Sequence, residues 1–350
     1  MVRTVAIAVP GNLDTPTGGY AYDRRMIREL DRLGWQVEVV QLGNGFPFPT
    51  EEQKRNATMR LMEIPAGRPI VIDGLAYGAF PEAATQLCHE HPLIALVHHP
   101  LACETGLTAT RANELRASER AALAVTSHVI VTSRATARIL VADYDVPIER
   151  VTVVPPGNDS VALARGSSDG IVRLLSVGSV VPRKGFDVLI AALATLAELQ
   201  WHLTIAGDRS RDPATVSQLD ADIARHKLSG KVTALGAVSS EDLSELYARA
   251  DLFVMASRFE GYGMAYSEAI AHGLPVVGTD IGALSDTIPA GTGVLVAPDD
   301  AAALATALRR LIESAAERRR MARNARAAAQ SLPRWQDSAK LFASAIEAAL

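Results

Sequence analysis

The feature that most constrains this chain is an alternation that runs along most of its length. Short β-branched apolar runs are separated by stretches with helical periodicity. Strands are expected at 5–9, 36–41, 70–73, 93–97, 128–132 and 151–154, with helices at 20–33, 81–89, 113–124 and 134–143 between them. Such an order argues for parallel β-α-β units. It stops at Pro155-Pro156-Gly157-Asn158-Asp159 and the turn-rich residues 164–170. It then restarts with strands at 171–177, 202–206, 232–235, 252–255 and 275–279 and helices at 186–198, 214–226, 240–249, 264–271 and 301–314. The expectation is an α/β protein of two Rossmann-like, doubly wound parallel-sheet domains. The first spans 1–163, with a terminal helix near 334–350 packing back onto it, and the second spans 164–333. Ligands of open parallel sheets sit at the carboxyl ends of strands, so the functional loops of two such domains would face a shared cleft.

Bulk properties narrow the classes further. At 350 residues the chain exceeds one ordinary core. A net charge of −4, with 35 basic against 39 acidic residues, offers no surplus for a nucleic acid. The two cysteines, Cys88 and Cys103, form neither a disulfide framework nor a zinc pattern, which fits reduced thiols in the cytoplasm. No segment reaches the roughly 18 apolar residues of a membrane span, so membrane contact is expected to be peripheral at most.

The most informative stretch lies between a strand and a helix: Ser257-Arg258-Phe259-Glu260-Gly261-Tyr262-Gly263-Met264-Ala265-Tyr266-Ser267-Glu268-Ala269. Two glycines let backbone approach a ligand, and the helix that follows presents N–H groups and a positive dipole end to phosphate. Glu260 and Glu268 flank this anion cradle, each able to accept paired hydrogen bonds from a diol, one on a sugar and one on a ribose. A second loop, Gly178-Ser179-Val180-Val181-Pro182-Arg183-Lys184-Gly185, places adjacent cations where they would oppose a diphosphate.

The first of these stretches resembles the Glu-x7-Glu motif of the retaining glycosyltransferases of family 4, which have the GT-B fold. The stretches 235–238, 246–254, 268–277 and 293–296 resemble that family's C-terminal domain in order and spacing. The resemblance implies transfer of a sugar from a nucleoside diphosphate donor, UDP-linked by expectation, to an unidentified acceptor hydroxyl. It also implies retention of the anomeric configuration, with no metal and no cofactor. Glu260 would bind donor sugar hydroxyls and Glu268 the ribose. Arg183 and Lys184 would hold the diphosphate, although the family's usual arginine position is Ser179 here. Gly236, Val238, Gly261, Tyr262, Gly263, Met264 and Ala265 complete the expected donor set. In the first domain Gly18 and Gly19, read as a loop before the first helix, would touch donor phosphate or acceptor, and His98, ahead of Pro100, would contact the transferred sugar. Glu260, Lys184 and His98 are thus the expected catalytic group.

Other readings fit less well. Asp220-Ala221-Asp222 has the form of a metal-binding pair, but within a helix the two side chains point away from each other. Lys184 precedes its glycine, and no hydroxyl follows to hold magnesium, as a phosphate-binding ATPase loop requires. The first loop lacks dinucleotide glycine spacing. A nucleotide-sugar epimerase and a non-catalytic nucleotide-sugar binder share the fold and stay open, as do monomer and homodimer.

Overall fold

The computed structural model describes residues 3–350. The chain divides into two compact units, one running to Gly157 and including Pro333–Leu350, the other Asn158–Leu332. The division therefore falls before the junction that the turn-rich stretch suggested at 163/164. Residues beyond Gly157 already hydrogen-bond within the second unit: Ser267 Oγ donates to Asn158 Oδ1 at 3.1 Å, and the His272 imidazole meets the Ala162 carbonyl at 2.8 Å.

The first unit is built on β1 (Arg3–Val9), β2 (Trp35–Gln41), β3 (Ile70–Asp73), β4 (Leu93–Val97), β5 (His128–Val131) and β6 (Val151–Val153), all parallel, in the order β2-β1-β3-β4-β5-β6. Side chains alternate between the two faces of a strand. Ala6, Ala8, Ile70, Ile72, Leu93, Ala95, Val129 and Val131 join one core with Leu61, Tyr77, Leu123 and Leu140. The intervening Val5, Ile7, Val71, Ile94 and Leu96 are buried on the opposite face. Burial on both faces is why these runs are continuously apolar.

The terminal helix Trp335–Ala348 packs on helix Gly18–Arg32 and on β5 and β6. Trp335, Phe342 and Ile346 are buried, each contributing roughly 1.5–3 kcal/mol by burial. Trp335 lies 6.0 Å from the Tyr22 ring, with the Arg25 guanidinium 5.5 Å over its face. Ser338 Oγ donates to the Pro155 carbonyl at 2.7 Å.

The second unit comprises β7 (Val172–Val177), β8 (Trp201–Ala206), β9 (Val232–Ala234), β10 (Leu252–Val254), β11 (Val276–Thr279) and β12 (Gly293–Val296), also parallel, in the order β12-β11-β10-β7-β8-β9. Helices Phe186–Ala194, Pro213–Arg225 and Ala301–Glu313 cover one face. Helices Ser240–Arg249, Met264–Ala271 and Ala315–Ala329 cover the other. Strand order reverses between β1 and β3 in the first sheet and between β7 and β10 in the second, and at such points the loops at the carboxyl ends diverge and leave a crevice.

Three local differences from the sequence reading stand out. Helix Glu51–Met62 was not expected; it starts on a capping box between Thr50 and Gln53. Helix Gly18–Arg32 begins at Gly18, so Gly18 and Gly19 form its first turn rather than a preceding loop, with Thr17 Oγ1 accepting from the Tyr20 amide. Strand β12 had been recognised only as part of a resemblance. Among the described residues no helix is long and apolar enough to cross a membrane.

A β-carbon at Gly157 would sit 2.2 Å from the Trp335 backbone nitrogen, so this contact between the strap after β6 and the terminal helix tolerates no side chain. Gly157→Ala is expected to cost about 1–3 kcal/mol. The cost should appear as a lower urea midpoint with an unchanged slope; an unchanged midpoint would mean the helix is not seated there.

Candidate functional site

In the second unit, the loops after β7 and β10 meet at the point where strand order reverses. After β7 the chain makes one 3-10 turn, Pro182–Lys184, and reaches Gly185 at φ 63°, where a β-carbon would lie 1.9 Å from the Ala256 carbonyl oxygen. Only glycine satisfies both the left-handed backbone and that approach. The Arg258 amide donates to the Arg183 carbonyl at 2.7 Å, fixing one loop to the other.

This backbone arrangement delivers Lys184 to Glu260. Lys184 Nζ donates to Glu260 Oε1 at 2.6 Å, and Ser257 Oγ donates to the same oxygen at 2.8 Å. Arg183 donates to the Phe259 carbonyl at 2.9 Å and brings its guanidinium to 3.8 Å from Glu260 Oε2. Glu260 is 6% exposed. Burial alone would push its carboxyl up, but the charges of Lys184 and Arg183 and the hydrogen bonds from Lys184 and Ser257 outweigh it and hold the group below the ordinary range. A buried carboxylate thus stays ionised beside two cations.

Helix Met264–Ala271 starts from Gly263 at φ 91°, where a side chain would also strike Leu284. The first-turn N–H groups of Met264 and Ala265 have no intrahelical acceptor, as at any helix start, and Gly261 and Tyr262 form the bend leading into them. One turn in, the half-buried Glu268 accepts from the Tyr247 hydroxyl at 3.0 Å. Burial pushes its carboxyl up to about 7 against that hydrogen bond, with Asp159 adding to the rise.

The remaining donor candidates are less closely joined. Gly236 follows β9, and its carbonyl accepts from the Gly207 amide at 2.9 Å. Among the described residues neither Gly236 nor the half-buried Val238 makes a hydrogen bond or ion pair with Arg183, Lys184, Glu260 or Glu268. Asp220 and Asp222 go separate ways, the first bound by Arg209 at 2.6 Å and the second by Arg225 at 2.6 Å and Gln218 at 2.9 Å.

A second cluster forms in the first unit, where its own strand order reverses. Asp73 ends β3, His98 follows β4, and Asp23 sits on helix Gly18–Arg32. His98 Nε2 lies 3.1 Å from Asp23 Oδ1 and 3.8 Å from Asp73 Oδ2. Gly19 backs the imidazole, with space for a β-carbon only 3.4 Å from its Cδ2. The Tyr22 ring meets it edge-on at 5.3 Å. Burial, helped by the Asp23 charge and opposed by His98, pushes the Asp73 carboxyl up to about 7. Burial works to lower the His98 pKa, but Asp23 and Asp73 outweigh it and the net shift is upward. His99 is directed elsewhere, 3.6 Å from Glu104. Among the described residues this is the only group of three such donors close enough to share an ion, and the hydrogen bond between His98 and Asp23 already occupies its shortest edge.

The sequence alone assigns no role to Asp23, Asp73, Ser257 or Tyr247. Asp73 closes an apolar strand at its carboxyl end, and Asp23 lies between the buried Tyr22 and Met26. Both placements are unusual for a carboxylate and were the available signal.

Comparison with known proteins agrees with this architecture. The model of glycosyl transferases group 1 matches residues 165–328, and that of glycosyltransferase family 4 matches residues 18–160. The chain belongs to glycosyltransferase family 4. A mannosylfructose-phosphate synthase of Agrobacterium fabrum is 33% identical over 187 residues, 48% of this chain and 41% of that protein. The matched part spans less than half the length of the first curated relatives, which include the glycogen synthase of Mycobacterium tuberculosis at 46% of its length. A sucrose-phosphate synthase from Thermosynechococcus elongatus has the same GT-B fold, with TM-score 0.82 and 22% identity over 98% of both chains. So does HepE of Anabaena, solved in complex with UDP-glucose, with TM-score 0.74 and 18% identity over 98% of this chain and 99% of that one.

Two outcomes follow for the second unit. Lys184→Met is expected to destabilise the protein by about 3 kcal/mol at neutral pH, because it strips a buried carboxylate of its closest cation. A depressed carboxyl contributes stability above its unfolded pKa and loses it as pH falls through the folded one, so the deficit should shrink below about pH 4 in urea titrations. Glu268 has the opposite sign: its raised carboxyl favours the folded state at low pH, and that contribution is lost as pH rises toward 7. Glu268→Gln should flatten the decline of unfolding free energy between about pH 5 and 7, by up to about 1.4 kcal/mol per pH unit. An unaltered slope would remove Glu268 as its source.

Proposed function

We propose that the chain is a retaining glycosyltransferase that takes its sugar from a UDP-linked donor and needs no metal. The observation that carries this reading is the assembly of Lys184, Arg183 and the buried, ionised Glu260 beside the open start of helix Met264–Ala271. Cations and helix N–H groups together suit a diphosphate. Lys184 is held in place by Glu260 before any ligand arrives, so its charge needs little reorganisation when a leaving diphosphate gains negative charge. The free lone pairs of Glu260 would orient donor sugar hydroxyls, and Glu268 would receive the ribose diol. Gly236 and Val238 would border the donor more distantly.

In the first unit His98, backed by Gly19, is the group assigned to substrate contact, and Gly18 opens the same helical turn. The acceptor hydroxyl would attack the face from which the leaving group departs and give its proton to a leaving phosphate oxygen, so no dedicated general base is required. The bound UDP-glucose of HepE supports a uridine donor here through shared fold. The acceptor is left as a hydroxyl compound of unassigned class.

Calorimetry with UDP, GDP and ADP in the presence of a chelator tests the donor; binding of none of the three rejects it. NMR of the product anomer tests retention. Glu260→Gln should lower turnover roughly a hundredfold while UDP affinity holds or rises, because Lys184 is released from its carboxylate. The reverse pattern would move Glu260 off the sugar. Donor breakdown that no acceptor accelerates would favour a binding protein over a transferase.

A further inference from the structure

The three ionisable groups at the carboxyl edge of the first sheet come from three elements and have almost nothing but one another to pair with. Among the described residues, neither Asp23 nor Asp73 forms an ion pair with a lysine or arginine. The surrounding polar groups are committed elsewhere. The Tyr22 hydroxyl donates to the Val154 carbonyl at 3.0 Å, the Thr132 hydroxyl to the His98 carbonyl at 3.3 Å, and Arg24 to the Leu13 carbonyl. Arg25, on the same helix as Asp23, pairs with Glu29 at 3.2 Å. Asp73 Oδ1 accepts the Leu75 amide at 2.7 Å. Asp23 Oδ1 faces His98 Nε2 at 3.1 Å, whereas Asp23 Oδ2 is buried with no donor among the described residues.

A hydrogen bond at that distance to a carboxylate requires the proton to be on Nε2. His98 Nδ1 makes no hydrogen bond with any described residue, and the side chain is 20% exposed. We propose that Asp23 is a positioning residue for His98: it holds the neutral imidazole in the Nε2–H tautomer, so that Nδ1 is presented as the acceptor for a substrate hydroxyl. This rests on the reading of His98 as a substrate contact.

Asp73 completes the device. An oxygen of its carboxyl lies within 4.8 Å of one of Asp23, and two adjacent buried carboxyl groups do not readily both ionise. Below about 7 Asp73 therefore keeps its proton and can donate it toward Asp23, whose Oδ2 has no other donor among the described residues. The direction of its shift, up to about 7, agrees with that placement of the proton. The negative charge of the pair is directed at His98 through Asp23 Oδ1.

The test uses nitrogen NMR of the full chain with labelled histidine, in the absence of substrate. Above its titration midpoint His98 should show a protonated Nε2 and a bare Nδ1. Asp23→Asn should lower that midpoint by roughly one unit or more. It should also cut kcat roughly ten- to a hundredfold with UDP affinity unchanged. Asp73→Asn, whose amide can donate to Asp23 as the neutral acid does, should keep the Nε2–H tautomer, and Asp73→Ala should blur it into a mixture.

An Nδ1–H tautomer in the unaltered protein overturns the proposal, as does a midpoint indifferent to Asp23→Asn. One equivalent of divalent metal in the purified protein, bound in place of the shared proton, overturns it too. The tautomer is read without turnover. A protein with the expected tautomer but no transferase activity would reject the proposed function alone, while an active protein with the wrong tautomer would reject the role of Asp23 alone.

Discussion

A carboxylate taken out of water must be met by cations or give up its charge, and in the second unit the response to Glu260 organises the surrounding loops. Its partners come from the loop after β7 and from its own loop after β10, so satisfying the charge ties two diverging segments together. The left-handed turn at Gly185, the amide of Arg258 on the Arg183 carbonyl and the two-pronged grip of Arg258 on Asp187 all serve to keep that geometry. A pair of this kind adds little net stability compared with a hydrophobic filling of the same space, since desolvation offsets most of the attraction. Its retention is better explained by what it holds in place: a cation and an anion at a fixed spacing, next to open helix N–H groups.

The first unit meets the same problem in a different way. Among the described residues Asp23 and Asp73 are buried with no lysine or arginine in partnership, so the local balance is struck by protons and by one imidazole. Equivalent positions on two similar sheets thus carry opposite electrostatic character. At one, Glu260 keeps its charge over the neutral range, and the other has a histidine and an aspartic acid whose shifts bring them toward it.

The strands were legible because most lie deep enough to be apolar on both faces, which leaves an unambiguous mark. Where burial is partial the mark fades. Strand β12 is half-buried along its whole length at a sheet edge, and helix Glu51–Met62 buries only Ala57 and Leu61, so neither yields a strong periodic signal. The capping pattern from Thr50 to Gln53 was nonetheless present in the sequence. Gly18 and Gly19 read as loop because glycine is a poor helix former; the hydroxyl of Thr17 and the packing of the turns that follow override that preference. At the site, Glu260 and Lys184 could each be picked out from local motifs, but their pairing spans 76 residues and belongs to the tertiary fold. The arrangement of Asp23, Asp73 and His98 was hidden for the same reason. The odd placement of each acid marks it singly, but their convergence on one imidazole appears only when the sheet brings them together.

The route of the chain has one more consequence. Helix Trp335–Ala348 supplies Trp335, Phe342 and Ile346 to the first unit, although the whole of the second unit intervenes in sequence. During synthesis the opening sheet must therefore wait, with the surface meant for that helix still uncovered, until nearly two hundred further residues have been made. The half that is translated first is the half whose hydrophobic surface is sealed last. The contact that seals it joins segments far apart along the polymer, the kind of closure that slows folding and leaves greasy surface open to capture by other chains.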